Sequence, residues 1–313
     1  MQSAKTALTR TRGPGRSLRK TGLTSRLVLH ALFMSMVISF VIPLIAILSI
    51  SLSGEQDIIT SGYSLFPRRI DLTAYTYIFR KPELIIRSYK VTILVTAIST
   101  VLYLVMISLC AYPLSRPDFK YRKGITFYLF FTMLFNGGLV PSYILMTRYL
   151  GLKNTYAALI LPLLGNVWYL FLMRTFFQQI PRAVIESAII DGAGEFLVYA
   201  RIILPLSKPV LATVGLFQLL NGWNSWYPSL LYISKQSLYP LQYLLQVMLR
   251  SADTILKSAA MGVGVIDSSQ LAKLPTESMR MAMCLLAIGP ILLVFPFFQK
   301  YFTKGLTVGA VKG

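Results

Sequence analysis

A chain of 313 residues with 55% hydrophobic side chains, only 13% charged ones and a mean hydropathy of +0.62 has too little polar surface to enclose a soluble domain of this size. Its formal charge of +20 comes from 31 Lys and Arg scattered along the whole sequence, which argues against a nucleic-acid-binding face. The single histidine, His30, sits at the edge of a long apolar segment, which leaves no His-centred catalytic triad or His-rich metal site, and two isolated cysteines within apolar stretches imply no disulfide framework.

Residues 1–26 read as a basic tail with seven Lys and Arg. The first apolar segment, 27–52, is longer than a signal-peptide core and has no early small-residue cleavage site, so it reads as an uncleaved transmembrane helix. His30 sits at its edge as an interfacial residue. Five further segments, 91–112, 124–146, 155–173, 210–233 and 281–298, carry no Asp, Glu, Lys or Arg. Each approaches or exceeds the roughly 20 apolar residues that cross a hydrocarbon core as a helix. The polar–apolar alternation of a membrane β-barrel is absent. The expected fold is an all-α polytopic membrane protein with six transmembrane helices, forming one permease-like domain over 27–313. Cys110 and Cys284 fall inside spans, as small packing residues. Asn136, Gly137, Gly138 and Pro141 mark a break in the third span.

With both termini in the cytoplasm, the inner segments collect 18 of the 31 Lys and Arg, which is the orientation that the positive-inside rule favours. Most of the net charge then has an ordinary cause, with attraction to anionic membrane lipid as a by-product. Segments 53–88 and 234–279 become the long extracytoplasmic loops. Their mild positive excess would suit an acidic oligosaccharide only weakly, since salt screens exposed charges over about 8–10 Å.

The polar stretch between the fourth and fifth spans, 180–209, is then cytoplasmic. From Glu186 to Pro205 it reads ESAIIDGAGEFLVYARIILP. Pro181 sets the first helical turn, and Val184, Ile185, Ala188 and Ile189 recur at helical spacing, with Glu186 off that face. Gly192, Ala193 and Gly194 supply a small-residue elbow, after which Phe196, Tyr199, Ile202 and Ile203 restart an apolar stripe. A bare linker needs no such elbow, so the segment reads as a helical hairpin built for docking. No G-x-x-x-x-G-K-[ST] phosphate loop occurs, so a partner or an ion gradient must supply energy.

In the fifth span Gln218, Asn221, Trp223, Asn224, Trp226 and Tyr227 interrupt an aliphatic helix. Buried amides need partners or a wet path, and aromatic faces beside amides suit a pyranose ring. Asn221, Trp223 and Asn224 are the candidates for a substrate path. The competing readings are an interfacial aromatic belt for Trp226 and Tyr227, and helix-to-helix hydrogen bonds for the amides.

Glu186, Ala188, Asp191, Gly192 and Ala193, followed by Ile203, Leu204 and Pro205, resemble the EAA motif of the membrane subunits of bacterial ABC importers, with Ser187 where Ala is usual. The segments FNGGLVPSYILMTRYLGLKNTYAALILP, RTFFQQIP, LPLSKPVLATVGLFQLLNGWNSWYPSLLYI and KGLTVGAVKG are similar to the carbohydrate branch, particularly permeases for complex oligosaccharides. The resemblance runs from roughly residue 89 to 313, the outer loop excepted. It implies a maltose-transporter-type subunit with the type I ABC importer permease fold, in the bacterial plasma membrane. In that family the hairpin is the coupling helix, which makes Glu186, Ala188, Asp191, Gly192 and Ala193 the ATPase-coupling residues. Further implied are a second homologous permease subunit, two ATPase subunits that bind ATP and Mg, an extracytoplasmic solute-binding protein and a sugar or oligosaccharide substrate. This chain itself would hold no cofactor or metal. The terminal segment 304–313 would reach into the ATPase dimer interface, whereas its residues alone show only a small, Gly-rich, basic tail. The alternatives are an ABC permease for a non-sugar solute and an ion-gradient-driven secondary transporter, which usually needs an intramembrane carboxylate that no span here has.

Overall fold

The computed structural model describes residues 23–260 and 276–310. Most of the basic tail, the middle of the segment 234–279 and the last three residues lie outside the described residues. The described chain is helical, apart from loops and one isolated antiparallel bridge between Ser53 and Ile70.

Among the described residues, those up to Ala46 form one unit and those from Ile47 a second. The first unit is most of helix α1 (Leu23–Ser51), whose side chains are exposed from 24 to 45. From Leu27 on it carries no Asp, Glu, Lys or Arg, and an exposed, predominantly apolar helix of this length is one that lipid covers.

The second unit runs through two short helices, α2 (Glu55–Ser61) and α3 (Thr73–Ile78), into α4 (Pro82–Ser115), which is unbroken over 34 residues. There follow α5 (Arg122–Leu134), α6 (Leu139–Ile144), α7 (Tyr156–Ile160), α8 (Val167–Gln178), α9 (Arg182–Ile190), α10 (Glu195–Val198), α11 (Leu204–Leu206), α12 (Lys208–Trp223), α13 (Tyr227–Tyr232), α14 (Leu241–Ala260) and α15 (Thr276–Ala310). The helix α4 packs on α8 and α12, and α12 packs in turn on α15. Small residues let these helices approach. A Cβ at Gly222 of α12 would lie 3.3 Å from the Thr96 Cα of α4, and Ser88, Thr92, Thr96 and Ser99 are buried along α4.

Three helices, within 24–51, 82–115 and 276–299, are each long and apolar enough to cross a membrane, and the number reaches six when three bent pairs each count as one span. The pair α5 and α6 meets at 108°. Asn136 Oδ1 accepts from the Gly138 N–H at 2.8 Å and Gly138 has φ +87°, so the Asn-Gly-Gly sequence makes the turn itself. The pair α7 and α8, with a bend of 49°, breaks at Gly165 and Asn166. A break in a membrane helix frees carbonyls that lipid cannot satisfy. Here Gln218 Nε2 of α12 donates to the Leu163 carbonyl at 2.8 Å, and the Tyr103 hydroxyl of α4 donates to the Asn166 carbonyl.

The fifth expected span, 210–233, is shorter as a helix than its apolar length indicates. α12 ends at Trp223, and the remainder lies in the separate α13, because Pro228 has no N–H to continue the ladder. At its other end α12 bends by 77° at Ser207 into the segment 195–206. Cys110 and Cys284 are free and exposed on their helices rather than packed inside.

Among the described residues the second unit holds three apolar cores, one of them around Val95, Leu159 and Tyr232. A second, around Tyr103, Ile107, Met173, Phe177, Ile203 and Val214, ties the hairpin segment to α4, α8 and α12. The third, around Ile78, Trp223, Leu241, Met279 and Met283, joins α3, α12, α14 and α15. Beside the latter the buried Glu55 carboxylate accepts from the N–H groups of Glu277 at 3.0 Å and Ser278 at 3.2 Å and from the Thr276 hydroxyl at 2.7 Å. It caps the first turn of α15, where a negative charge also suits the helix dipole.

Candidate coupling hairpin and solute path

The hairpin begins one residue later than its proline indicates. Pro181, with φ −57° and ψ 129°, precedes α9 as its cap instead of occupying the first turn. The helix closes through a Schellman arrangement: the Ala193 N–H bonds the Ala188 carbonyl at 2.9 Å and the Gly192 N–H bonds the Ile189 carbonyl at 3.0 Å. That pattern requires a left-handed residue, and Gly192 has φ +85°. Ala188 and Ala193, both half-buried, pack against the core below. Of the apolar face of α9, only Ile185 is buried, while Val184 and Ile189 stay exposed.

The second arm starts at Gly194, whose extended backbone caps α10. Tyr199 and Ile203 turn inward, and Phe196 turns out with 74% of its surface exposed. Ile190, at the tip of the first arm, is 85% exposed. The elbow therefore carries two large apolar side chains on open surface, flanked by the exposed carboxylates of Glu186 and Asp191. Neither carboxylate has an ion-pair or hydrogen-bond partner among the described residues. Glu186 also borders a cavity of about 610 Å³ shared with Arg116, Arg122 and Arg182.

Three contacts fix the hairpin to the end of α4. The Tyr199 hydroxyl and Ser108 Oγ share a hydrogen bond of 2.7 Å, the Tyr112 hydroxyl donates to Glu195 Oε2, and Arg116 Nη2 lies 3.6 Å from Glu195 Oε1. Arg116 also pairs with Asp118 at 3.3 Å. Sequence reasoning passed over Glu195, Tyr112 and Arg116. The only signal was a Tyr and an Arg one turn apart at the end of a span, with an acid opening the second arm. Next to these contacts Arg174 ties α8 to α4, its Nε donating to the Leu114 carbonyl at 2.9 Å.

The five coupling candidates thus lie on one continuous elbow. The three solute-path candidates divide between two faces of α12. Trp223 is buried among α14 and α15, and its Nε1 donates to the Ala287 carbonyl at 2.9 Å. Asn221 and Asn224 are exposed one turn apart. Asn224 Nδ2 bonds the Leu220 carbonyl at 2.9 Å, and Gln242 Nε2 of α14 approaches Asn224 Oδ1 at 3.4 Å. Trp226 and Tyr227 stack edge to face at 5.8 Å just beyond. No group of three His, Cys, Asp or Glu able to hold a metal occurs among the described residues.

Residues 91–308 match the family described as binding-protein-dependent transport system inner membrane component. Protein LplC of Bacillus subtilis (strain 168) is 40% identical, over 87% of this chain and 90% of its own. The polygalacturonan/rhamnogalacturonan transport system permease protein YtcP of the same organism is 36% identical, over 87% of this chain and 93% of its own. The crystal structure of a bacterial ABC transporter involved in the import of the acidic polysaccharide alginate superposes with a TM-score of 0.72 at 28% identity, over 90% of this chain and 98% of that one.

Proposed function

Because this chain belongs to the family of binding-protein-dependent transport system inner membrane components, we propose that it is a permease subunit of an ATP-driven importer of sugar oligomers. The observation that carries the reading is the elbow at Gly192, which holds apolar and acidic side chains without partners among the described residues away from the core, on a hairpin packed against α4, α8 and α12. Such a surface suits a groove on a separate ATPase subunit, with the hairpin and both termini in the cytoplasm.

Relatives named for polygalacturonan, rhamnogalacturonan and alginate transport favour an oligosaccharide over other solutes. Asn221 and Asn224, joined by Gln242, offer amides at one exposed end of α12 where a sugar hydroxyl can pair, while Trp223 holds the helix in register. A second, homologous permease completes the path. A solute-binding protein delivers the sugar to the outer segments, and two ATPase subunits hold ATP and Mg, so that this chain needs no cofactor. Linkage sets the mechanism: ATP drives the transition because the ATPase dimer binds one state of the hairpin more tightly than the other.

The test is reconstitution of the complete assembly in vesicles. Uptake of the oligosaccharide should require ATP on the hairpin side and the binding protein on the other. Uptake driven by an ion gradient alone, with no ATPase retained on purification, would overturn the proposal.

A further inference from the structure

We propose that Arg122, Lys123 and Arg174 form a binding site for one anionic phospholipid at the membrane edge of α5 and α8. These three cations border a cavity of about 450 Å³ whose remaining wall is Thr126 and the phenylalanines Phe127, Phe130 and Phe171. No carboxylate lines it. Arg122 and Lys123 have no acidic partner among the described residues, and the Arg174 Nε bond to the Leu114 carbonyl leaves its outer nitrogens available. The Thr126 hydroxyl, between the cations and the phenylalanines, is shielded from solvent and has no hydrogen-bond partner among the described residues.

This order of groups along the helix selects the ligand class. Three cations converge at the polar end of a segment that reads as membrane-spanning, a hydroxyl lies one turn further in, and exposed phenylalanines continue toward the bilayer interior. A soluble anion would use the cations and leave the phenylalanine wall idle. A lipid phosphate engages the cations, its ester region meets Thr126, and an acyl chain lies along Phe127 and Phe130. The cations then compensate a headgroup charge instead of repelling each other unopposed.

The experiment is native mass spectrometry of the assembled transporter, equilibrated with phosphatidylglycerol or with phosphatidylcholine. The double variant Arg122→Gln/Lys123→Gln keeps Arg174 and its bond to α4. It should retain one phosphatidylglycerol fewer per complex, with affinity lower by about thirtyfold for two cations removed, and unchanged phosphatidylcholine. The charge-preserving variant Arg122→Lys/Lys123→Arg should retain the lipid, which separates lost charge from lost fold. Equal phosphatidylglycerol retention by wild type and the Gln variant would overturn the proposal. So would equal phosphatidylcholine binding at the site, or displacement of the lipid by millimolar inorganic phosphate.

Discussion

The elbow at Gly192 gives the most direct test of the coupling hairpin. Its φ of +85° is one that L-residues adopt at a cost of about 1–2 kcal/mol, with Asn the best tolerated of them. A Cβ placed there meets nothing within 4 Å, so any substitution acts through the backbone and not through a clash inside the chain. At about 1–2 kcal/mol, the correctly closed elbow loses a factor of roughly 5–30 in population against opened alternatives, since 1.4 kcal/mol is tenfold. The two bonds to Ala188 and Ile189 are then the ones released. Gly192→Asn, Gly192→Ala and Gly192→Val should all reach the membrane at normal levels. ATP-dependent uptake in vesicles should decline in that order, with ATP hydrolysis increasingly independent of the binding protein. Better activity for Ala than for Asn would refute the backbone argument, because it would make side-chain bulk against a partner the determinant. Full activity of the Val variant would refute the coupling role.

Four further outcomes are expected. Glu55→Ala removes a buried carboxylate that accepts several hydrogen bonds, and should destabilise the fold by about 1.5–3 kcal/mol, seen as a lower thermal midpoint in detergent; the half-buried Asp57→Asn, which makes none of these bonds, should change it less. Gly222→Ala should cost about 1–3 kcal/mol, because its Cβ meets the Thr96 backbone, and Gly215→Ala less, because there the near atom is the mobile end of Leu104; equal midpoints for the two would contradict the packing. Glu195→Gln and Tyr112→Phe should each weaken uptake, and a double-mutant cycle should give a coupling of about 0.5–3 kcal/mol, with strict additivity as the failing result. Asn221→Leu with Asn224→Leu should raise the half-saturating concentration of binding protein loaded with sugar and leave binding-protein-independent ATP hydrolysis alone; unchanged uptake kinetics would remove these amides from the path.

The helical, membrane-embedded character of the chain was readable from apolar length alone, because lipid imposes about 20 residues on any spanning helix. The break at Asn136–Gly138 was readable too, since its turn is made by the side chain and glycines of the break itself. The break at Gly165 was not. Its carbonyls are satisfied by Gln218 and Tyr103, 55 and 63 residues away, and no local pattern announces such partners. The elbow was legible in its glycines, but Val184 and Ile189 were not legible as exposed residues. Helical periodicity marks an apolar face without saying whether the core or another protein covers it. Trp223 illustrates the same limit: composition placed a tryptophan beside amides, and the packing of α14 and α15 decided that its ring lies within a core.

The two carbonyls at the Gly165–Asn166 break carry a consequence for movement. They are held by one side chain from α12, the fully buried Gln218, and one from α4. Withdrawing either helix would leave a bare carbonyl in hydrocarbon, at a cost of several kcal/mol. The three helices are therefore bolted together at this knee and travel as one lever.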